Sequence, residues 1–514
     1  MNNAPVLPLL LPFLTGVAGL LFARPGRWRR VGFGVSAVVQ LAVALGLIVA
    51  TAGGGRLVLA PGGWGAALGI VFVVDLLAAI MLALAALTAL ACTAFAFASR
   101  PAAREHPLQL PLLQFLLVGI SLAFVTGDLF NLFVAFEVML IASYALLTLE
   151  SDNRNVRHAW SYLAINLVGS AVFLLGCGLA YGWLGTLNFA ELSVRLAAAG
   201  GDPRVVLLGL ILLVVFAVKA GLFPLYYWLP DSYPILPGSM AAFYAGMLTK
   251  VGVYVLLRVF VTVFPPGTPW IGELLAWGAG ATMVLGVLGA VSRDRVQHIL
   301  AYHILSQIGF MVLAIGFGTP LAIAAAILYI MHHIVVKAAL FLVGGAIQHR
   351  CGHDRLDAAG GLMRAAPWLA AGFLLQALSL AGLPPLSGFW GKYLIIVEGL
   401  QLGEWVLVGA SVVASVLTLV SMLKIWLAWF WRPAPEEAPR SVPPGARAMS
   451  ATVCALAALS LGIGFGAEGV FRLAREAAAQ AMDRAGYVAA VRAVVPASAD
   501  AANTAEVAAE GGAR

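Results

Sequence analysis

The sequence predicts an all-α polytopic membrane protein with about fourteen transmembrane helices, interrupted in the seventh and twelfth. Of its 514 residues, 62% are hydrophobic and only 10% are charged, and the mean hydropathy is +0.97. Soluble domains have about 45–50% apolar and about 25% charged residues, and disordered chains combine low hydrophobicity with high charge. Both classes are therefore excluded. A large catalytic domain is excluded too, because few residues remain outside the apolar stretches.

The predicted helices follow apolar stretches, each close to the roughly 20 residues that a membrane span needs. Only helices or closed barrels satisfy the backbone in lipid, and barrel strands would alternate in polarity, whereas these runs are continuously apolar. The stretches cover residues 5–23, 31–50, 66–98, 108–126, 129–149, 158–184, 204–229, 237–263, 271–292, 298–316, 321–347, 368–399, 404–431 and 448–468.

Loop charge gives the predicted orientation. Arginines gather in every second loop, whereas the intervening loops are short and nearly uncharged. Because cytoplasmic loops are enriched in Lys and Arg, we expect a multi-pass protein of the cell membrane with both termini outside. The first stretch does not resemble a signal peptide, since its positive charge follows the apolar run. The basic loops carry Arg24, Arg27, Arg29, Arg30, Arg100, Arg104, Arg154, Arg157, Arg293, Arg295, Arg350, Arg364, Arg432 and Arg440.

Neither the net charge of +7 nor the four cysteines indicates a nucleic-acid or metal partner. Basic loops at a membrane surface face anionic lipid, so we expect membrane lipid and no nucleic acid. The cysteines form no CxxC pair, which argues against zinc and iron–sulfur sites. Residues 349–353 (HRCGH) are interpreted as a solvated loop and not as a metal site. No cofactor is predicted.

Charged side chains inside the apolar stretches are the candidates for function, because a charge at mid-bilayer costs roughly 2.5–3.5 kcal/mol. Glu137 and Lys219 are the best candidates for a buried ion pair, and Pro224 opens the helix beside Lys219. A purely structural pair that ties helices together is the alternative. Lys250, midway along its stretch, and Lys392, after a proline-rich break, are further candidates.

The eleventh stretch carries a polar stripe. Tyr329, His333 and Lys337 are four residues apart and share one helix face, with His332 beside it. Such a stripe must face a water-filled interior and not lipid. Lys and His groups joined by water can pass protons across a membrane. No nucleophile triad, dinucleotide motif or P-loop is present, so proton movement is favoured over catalysis.

The remaining intramembrane charges are weaker candidates. Long or terminal charged side chains can snorkel to the interface, and we expect this of residues near helix ends. His303 is a further buried candidate. The expected snorkelling residues are Asp75, Arg258, Glu398 and Lys424.

A short internal repeat links the seventh and twelfth stretches. Residues 220–225 (AGLFPL) resemble residues 381–386 (AGLPPL). The odd helix spacing between them gives the copies opposite orientations, and interrupted helices in inverted halves point to an ion path. Proline also occurs in membrane helices without such a role.

Six motifs spread over almost the whole chain carry a family resemblance: residues 126–144, 218–225, 229–231, 302–309, 332–337, and 384–389 together with Lys392. With them the chain resembles the D-type subunits of Mrp-type multisubunit Na⁺(cation)/H⁺ antiporters. Residues 127–144 favour this type over its relatives, the antiporter-like subunits of respiratory complex I and membrane-bound hydrogenases.

The resemblance implies two inverted five-helix repeats. It divides the chain into N-terminal helices 1–3 (1–104), repeat one with helices 4–8 (105–265), repeat two with helices 9–13 (266–431), a cytoplasmic linker (432–447), and helix 14 with the tail (448–514). It also implies a hydrophilic axis through Glu137, Lys219, Lys250 and Lys392, with His332 and Lys337 between the halves.

The expected function is therefore that of an ion-transporter subunit and not of an enzyme. Protons would follow the axis, including His333, within a complex that also contains A, B, C, E, F and G subunits and exchanges a monovalent cation such as Na⁺. The alternative is a proton-pumping subunit of a redox complex, in which this chain would still hold no redox cofactor. A structural scaffold with inert buried pairs is the third hypothesis.

Overall fold

The computed structural model describes residues 3–22, 24, 26–65, 69–149, 153–434 and 442–495. Within these residues, twelve helices are long and apolar enough to cross a membrane, and Gln109–Val125 and Pro367–Ala381 are shorter apolar helices. Each predicted stretch contains one of these helices, which confirms the all-α polytopic fold. The number of helices that cross the membrane remains a prediction.

The first half of the chain contains a two-stranded ribbon and ten helices. They are α1 (Leu7–Leu21), α2 (Arg27–Thr51), β1 (Leu57–Leu59), β2 (Phe72–Val74), α3 (Leu76–Ser99), α4 (Gln109–Val125), α5 (Leu129–Thr148), α6 (Asn153–Leu184), α7 (Phe189–Ala198), α8 (Pro203–Ala220), α9 (Trp228–Ser232) and α10 (Gly238–Leu257), which continues as a π-helical turn to Val263.

Among its described residues, the second half contains helices and connecting loops but no strand. Its helices are α11 (Ile271–Ser292), α12 (Val296–Phe317), α13 (Pro320–Cys351), α14 (Leu362–Ala365), α15 (Pro367–Ala381), α16 (Ser387–Gln401), α17 (Trp405–Trp426), α18 (Ala446–Phe465), α19 (Ala467–Met482) and α20 (Arg484–Arg492). The predicted HRCGH loop is partly wrong, because α13 extends through Cys351.

The helix predicted from residue 66 begins ten residues later. Strands β1 and β2 pair antiparallel, with Leu57 opposite Val74 and Leu59 opposite Phe72. Asp75 then caps α3 by accepting a hydrogen bond from the Ala78 N–H at 2.9 Å. A short apolar run does not distinguish a strand from a buried helix, which explains the error. Residues 66–68 lie outside the described residues.

One end of the bundle carries the basic loops and is here called the basic face. Arg30 Nη1 donates to the Phe97 carbonyl oxygen at 3.2 Å, which joins the start of α2 to the end of α3. The Gly361 N–H donates to the Arg432 carbonyl oxygen at 2.8 Å, which joins two later loops. The predicted linker lies at this face, although residues 435–441 are outside the described part.

The other end, the opposite face, is covered by the ribbon, α7, α19 and α20. The Gly127 N–H donates to the Val71 carbonyl oxygen, and Thr262 Oγ1 donates to the Ala481 carbonyl oxygen, both at 2.8 Å. The first described residues also pack on the ribbon, so both described ends of the chain lie at one face. That this face is external remains a prediction.

The tail begins with an amphipathic helix, α19. Its apolar side is buried against α3 and α13. Gln480 ties it to the membrane helices, because Nε2 donates to the Thr51 carbonyl oxygen at 2.9 Å and Oε1 accepts from the Leu76 N–H at 3.0 Å. The tail therefore caps the bundle. The composition of the last dozen residues predicts disorder, and these residues lie outside the described part of the chain.

Both predicted helix breaks are present, with the same local structure. α8 ends at Gly221 (φ +79°) and α15 at Gly382 (φ +91°). The N–H groups of Gly221 and Leu222 both donate to the Ala217 carbonyl oxygen. In the same way, the N–H groups of Gly382 and Leu383 both donate to the Leu378 carbonyl oxygen. A left-handed residue that ends a helix is favoured as glycine. The continuous helix predicted over 204–229 therefore ends at residue 220.

Helix α13 runs through the centre of the bundle. Every residue from Ala322 to Ile347 except Met331 is buried, and α3, α10 and α12 pack around it. Titratable side chains in this part of α13 face other helices and not lipid. The outer positions are taken by helices such as α1, α2, α6 and α17, which are mostly exposed.

Candidate functional site

Glu137 and Lys219 lie close enough to interact electrostatically but form no salt bridge. The predicted ion pair is therefore not a direct salt bridge in this conformation, and its role stays a prediction. Glu137 lies midway along α5, and its Oε1 is buried without a protein hydrogen-bond partner. Lys219, in the last turn of α8, is 3% exposed, and its Nζ lies 5.5 Å from the centre of the Phe136 ring.

The partners of Lys219 are on α6, which sequence reasoning did not single out. Nζ donates to the Asn166 carbonyl oxygen at 3.2 Å and to Ser170 Oγ at 3.1 Å. Asn166 and Ser170 are both buried and four residues apart, so they share a helix face. Two polar residues at this spacing in an apolar stretch could have identified this face of α6 from the sequence. Lys219 thus rests on uncharged acceptors while Glu137 is near.

Lys250, His333 and Lys337 meet at the centre of the bundle, where each is 0% exposed. Lys250 Nζ donates to the Ala245 carbonyl oxygen at 2.6 Å and to Thr249 Oγ1 at 3.2 Å. Lys337 Nζ donates to the Leu300 carbonyl oxygen at 2.9 Å. Both lysines interact electrostatically with His333, as α10 and α13 are in contact.

His332 contacts the break between α15 and α16. Its Nδ1 lies 2.7 Å from Ser387 Oγ, which also lies 2.9 Å from Ser379 Oγ and 2.9 Å from Ser460 Oγ. A Cβ on Gly388 would approach the His332 ring to 2.8 Å. The serine hydroxyls therefore fix the imidazole against the broken helix.

Lys392 is the last residue in the row of bases. Its Nζ donates to the carbonyl oxygens of Leu380 (3.0 Å) and Ala381 (3.2 Å), the last residues of α15. It also lies 4.5 Å from the centre of the Phe310 ring. Because carbonyl groups at a helix C-terminus lack intrahelical partners and carry partial negative charge, they are suited to hold an ammonium group.

A second set of polar groups joins α12 to α13 and α17. Tyr329 OH donates to Gln307 Oε1, and Gln307 Nε2 donates to Thr418 Oγ1 at 3.3 Å. His303 Nε2 lies 2.6 Å from Ser421 Oγ. His303 interacts electrostatically with Lys337 and Lys392, so it belongs with the predicted residues.

These bases form one electrostatic cluster without a carboxylate. Among the described residues, no acidic group makes a salt bridge to any member. Like charges repel strongly in a medium of low polarity, so a proton that arrives at one base favours release from a neighbour. The members are Lys250, His303, His332, His333, Lys337 and Lys392.

Asp75 and Arg258 do not snorkel, contrary to the expectation. Arg258 Nη1 and Nη2 donate to the two carboxylate oxygens of Asp75 at 2.6 and 2.7 Å, and both side chains are buried. Asp75 lies at the opposite face, before the α3 span. Burial alone would raise its pKa, but Arg258 and the Ala78 N–H outweigh burial and hold this pKa below its usual range.

Glu398 and Lys424 are also held by protein groups. Glu398 is 6% exposed and accepts a hydrogen bond from Thr319 Oγ1. Lys424 Nζ donates to the carbonyl oxygen of Val291 at 3.1 Å and also to that of Arg293 at the basic face. Both residues lie near helix ends, as expected for snorkelling, yet neither extends freely into the interface.

The described residues contain no group of three or more His, Cys, Asp or Glu side chains that could hold a metal ion. His349 Nε2 lies 3.2 Å from the Pro444 carbonyl oxygen, so the HRCGH segment contacts the linker. The polar groups at the centre are lysine and histidine bases, hydroxyls, and carbonyl oxygens that accept hydrogen bonds.

Comparisons with known proteins cover nearly the whole chain. Residues 126–418 match the family model described as NADH:quinone oxidoreductase/Mrp antiporter, TM. The D-type subunit of the Na⁺/H⁺ antiporter of Alkalihalophilus pseudofirmus is 42% identical over 491 residues, covering 95% of this chain and 99% of that protein. All the predicted site residues lie within the part that the family model matches.

Two solved structures share the fold. A chain of the Mrp complex from Dietzia sp. has a TM-score of 0.89 and 32% identity, covering 96% of this chain and 100% of that chain. A chain of a membrane-bound sulfane sulfur reductase, an archaeal respiratory membrane complex, has a TM-score of 0.87 and 26% identity, with the same coverage.

Proposed function

Because this chain belongs to the family of D-type Na⁺/H⁺ antiporter subunits, within the NADH:quinone oxidoreductase/Mrp antiporter family, we propose that it is a proton-translocating membrane subunit of a multisubunit Na⁺(cation)/H⁺ antiporter. The observation that carries this proposal is the row of buried bases from Lys219 to Lys392. Desolvated lysines and histidines without paired carboxylates are costly, and such groups in a membrane typically mark ion paths.

The proposed proton path starts at Glu137 and Lys219. A protonated Lys219 is attracted to the Glu137 carboxylate, whereas the Asn166 carbonyl oxygen and Ser170 hydroxyl hold its amino group without a countercharge. Movement between these positions would change how strongly the amine holds its proton. A proton released toward Lys250 would raise repulsion within the central cluster.

The second part of the path runs from Lys250 through His333 and Lys337 to His332 and Lys392. Each lysine in it has a carbonyl acceptor ready for its ammonium form. Repulsion between neighbouring bases would drive the proton forward. The break at Gly382 gives Lys392 its carbonyl partners, which ties the broken helix to the last step.

The proposed partners are the other subunits of such a complex, of the A, B, C, E, F and G types, together with membrane lipid. The similarity to a chain of the Mrp complex from Dietzia sp. supports a role within an assembly. On this basis the chain is an ion-transporter subunit and not an enzyme. The cation exchanged would be monovalent, such as Na⁺.

A second candidate is a proton-pumping subunit of a redox complex. The TM-score of 0.87 with a chain of the membrane-bound sulfane sulfur reductase supports it. The 42% identity to a D-type Na⁺/H⁺ antiporter subunit favours the antiporter. Co-purification with quinone- or hydrogenase-type subunits would favour the redox complex.

The deciding experiment is Na⁺-driven proton flux in inverted vesicles that carry the whole complex. Lys219→Ala should abolish flux without loss of assembly. Lys424→Ala is the matched control, because Lys424 also donates to carbonyl oxygens but lies at the basic face, away from the row of bases. Normal proton flux in Lys219→Ala would indicate that this chain is a structural scaffold and that protons do not pass through it. Absence of Na⁺-coupled flux in the wild type would favour the redox complex.

A further inference from the structure

A polar cleft opens at the basic face, between the start of α4, the start of α10 and the end of α13. It consists of two adjoining cavities of about 230 and 250 Å³. Both cavities are lined by Arg100, Gln109, Pro237 and Gln348. The first is also lined by Glu105, His106, Ser239 and His349.

The cleft is lined by a carboxylate, Glu105, and by an imidazole, His106. Glu105 forms a salt bridge with Arg30 at 2.8 Å, and its second oxygen, Oε2, is buried without a protein partner. His106 Nδ1 accepts the Leu108 N–H at 3.3 Å, which leaves Nε2 for water. Carboxylate and imidazole side chains are the groups that commonly relay protons in membrane proteins.

An amide bridge leads inward from the cleft. Gln348 lines the cleft, and its Oε1 accepts a hydrogen bond from Gln297 Nε2 at 3.0 Å. Gln297 is 0% exposed, and its Oε1 has no protein partner. Asp354 Oδ2 accepts the Gln297 N–H at 3.1 Å and so anchors the start of α12. A buried acceptor of this kind is normally satisfied by water.

One face of α13 continues from this bridge to the central cluster. Lys337, Phe341, Gly344 and Gln348 are spaced four, three and four residues apart, so they lie along one side of the helix. A Cβ on Gly344 would lie 3.3 Å from Gln297 Cγ, so this glycine allows the Gln297 side chain to pack closely against α13.

Helix α12 provides the facing wall. Leu300 is three residues after Gln297, on the same side of α12, and its carbonyl oxygen accepts the hydrogen bond from Lys337 Nζ. Lys337 Nζ also lies 5.8 Å from the centre of the Phe341 ring. Gln297 thus stands between the cleft and the acceptor of Lys337.

We propose that this cleft is the proton inlet at the basic face, and that Gln297 and Gln348 position the water that carries protons from it to Lys337. This inference rests on the proposed function, in which the switch at Glu137 and Lys219 controls repulsion within the row of bases; the inlet supplies the proton that Lys337 passes on. Each water molecule accepts one proton and passes one on, and the neutral amine of Lys337 gains the proton that entered. The amides remain neutral, so they act as positioning residues and not as proton carriers.

The test compares Gln297→Leu and Gln348→Leu with Gln114→Leu in the assembled complex. Gln114 is the matched control, because its Oε1 accepts from Gln40 Nε2 at 2.9 Å in a buried amide pair between α2 and α4, outside the inlet. We expect proton flux to fall by about tenfold or more in both inlet variants and to stay near the wild-type value in Gln114→Leu.

A second readout separates an inlet from a structural role. With a damaged inlet, flux should rise in proportion to proton concentration at the basic face, and Gln297→Glu should recover part of the rate. Wild-type flux in Gln297→Leu and Gln348→Leu, with Lys337→Ala inactive, would overturn the inlet and leave the function intact. Wild-type flux in Lys337→Ala and Lys219→Ala as well would overturn both the inlet and the proposed function. If the complex does not assemble with Gln297→Leu, the proton flux of Gln348→Leu, at the cleft wall, decides between these outcomes.

Discussion

Lys219 donates a hydrogen bond to the backbone carbonyl oxygen of Asn166, 3.2 Å away on α6. A second bond goes to Ser170 Oγ at 3.1 Å, and no salt bridge joins Lys219 to Glu137. The amine therefore has two sets of partners within reach, one uncharged and one anionic. A base that can exchange between such partners is what a proton-transfer step requires, whereas a permanent ion pair would hold its proton.

Replacing Ser170 by alanine should slow transport without abolishing it. The variant removes one of the two uncharged acceptors of Lys219 and leaves the Asn166 carbonyl group. A single hydrogen bond contributes about 1 kcal/mol, so we expect about a fivefold change in Na⁺-driven proton flux. Vesicles containing the whole complex provide the measurement.

The control for Ser170→Ala is Ser450→Ala. Ser450 Oγ also donates within a membrane helix, to the Ala446 carbonyl oxygen at 3.0 Å, but it lies on α18, away from the bases. Equal flux in the two variants would mean that the Ser170 contact plays no part in transport.

Ser387→Ala should impair both stability and flux. Ser387 Oγ is the hydroxyl that contacts His332 Nδ1, so its loss leaves a buried ring nitrogen without a partner. Such a loss costs about 1–3 kcal/mol. Thermal unfolding of the purified complex and proton flux should both decline. Ser460→Ala is the matched control, since it removes a neighbour of Ser387 and leaves the His332 contact in place. Identical behaviour of the two variants would contradict this role.

Asp75→Ala should destabilise the protein by about 3–5 kcal/mol, because it leaves the buried Arg258 guanidinium unpaired. The pKa of Asp75 in the folded protein lies below its usual range, so its ionic contribution is present above the unfolded pKa of about 3.9 and lost as pH falls through the lower folded value. The Tm difference between wild type and Asp75→Asn should stay constant from about pH 8 to 5 and shrink below about pH 4. A difference that shrinks between pH 8 and 5 would refute this assignment.

The cost of a buried charge is what made the central residues predictable from sequence. Lys250, His333 and Lys337 could be identified because titratable residues are costly in apolar stretches. In the structure the three side chains lie together at the centre of the bundle. The two helix breaks were likewise predictable from the prolines at 224, 384 and 385, and the structure ends each helix just before them, at Gly221 and Gly382. These signals are local, so one sequence suffices to find them.

Side-chain direction was not predictable in the same way. Lys219 has a four-carbon stem that reaches either α5 or α6, and spacing along one helix does not choose between them. Asp75 and Arg258 are far apart in sequence and each lies near a helix end, so snorkelling was the reasonable expectation. Only the packing of α3 against α10 brings the two charges together. The ribbon at residues 57–74 was missed because apolar strands and helices look alike in short runs.

Gly345→Ala should loosen the contact between α10 and α13 at the basic face. A Cβ on Gly345 would lie 2.8 Å from the Gly238 Cα, a backbone atom that cannot turn aside. Overpacking of this kind costs about 1–3 kcal/mol, so the Tm of the purified complex should fall. Gly278→Ala in α11 is the matched control, because no atom lies within 4 Å of its added Cβ. There the better helix propensity of alanine should leave the Tm unchanged or raise it. If both variants unfold at the same temperature, the helices separate more easily than their backbone contact indicates.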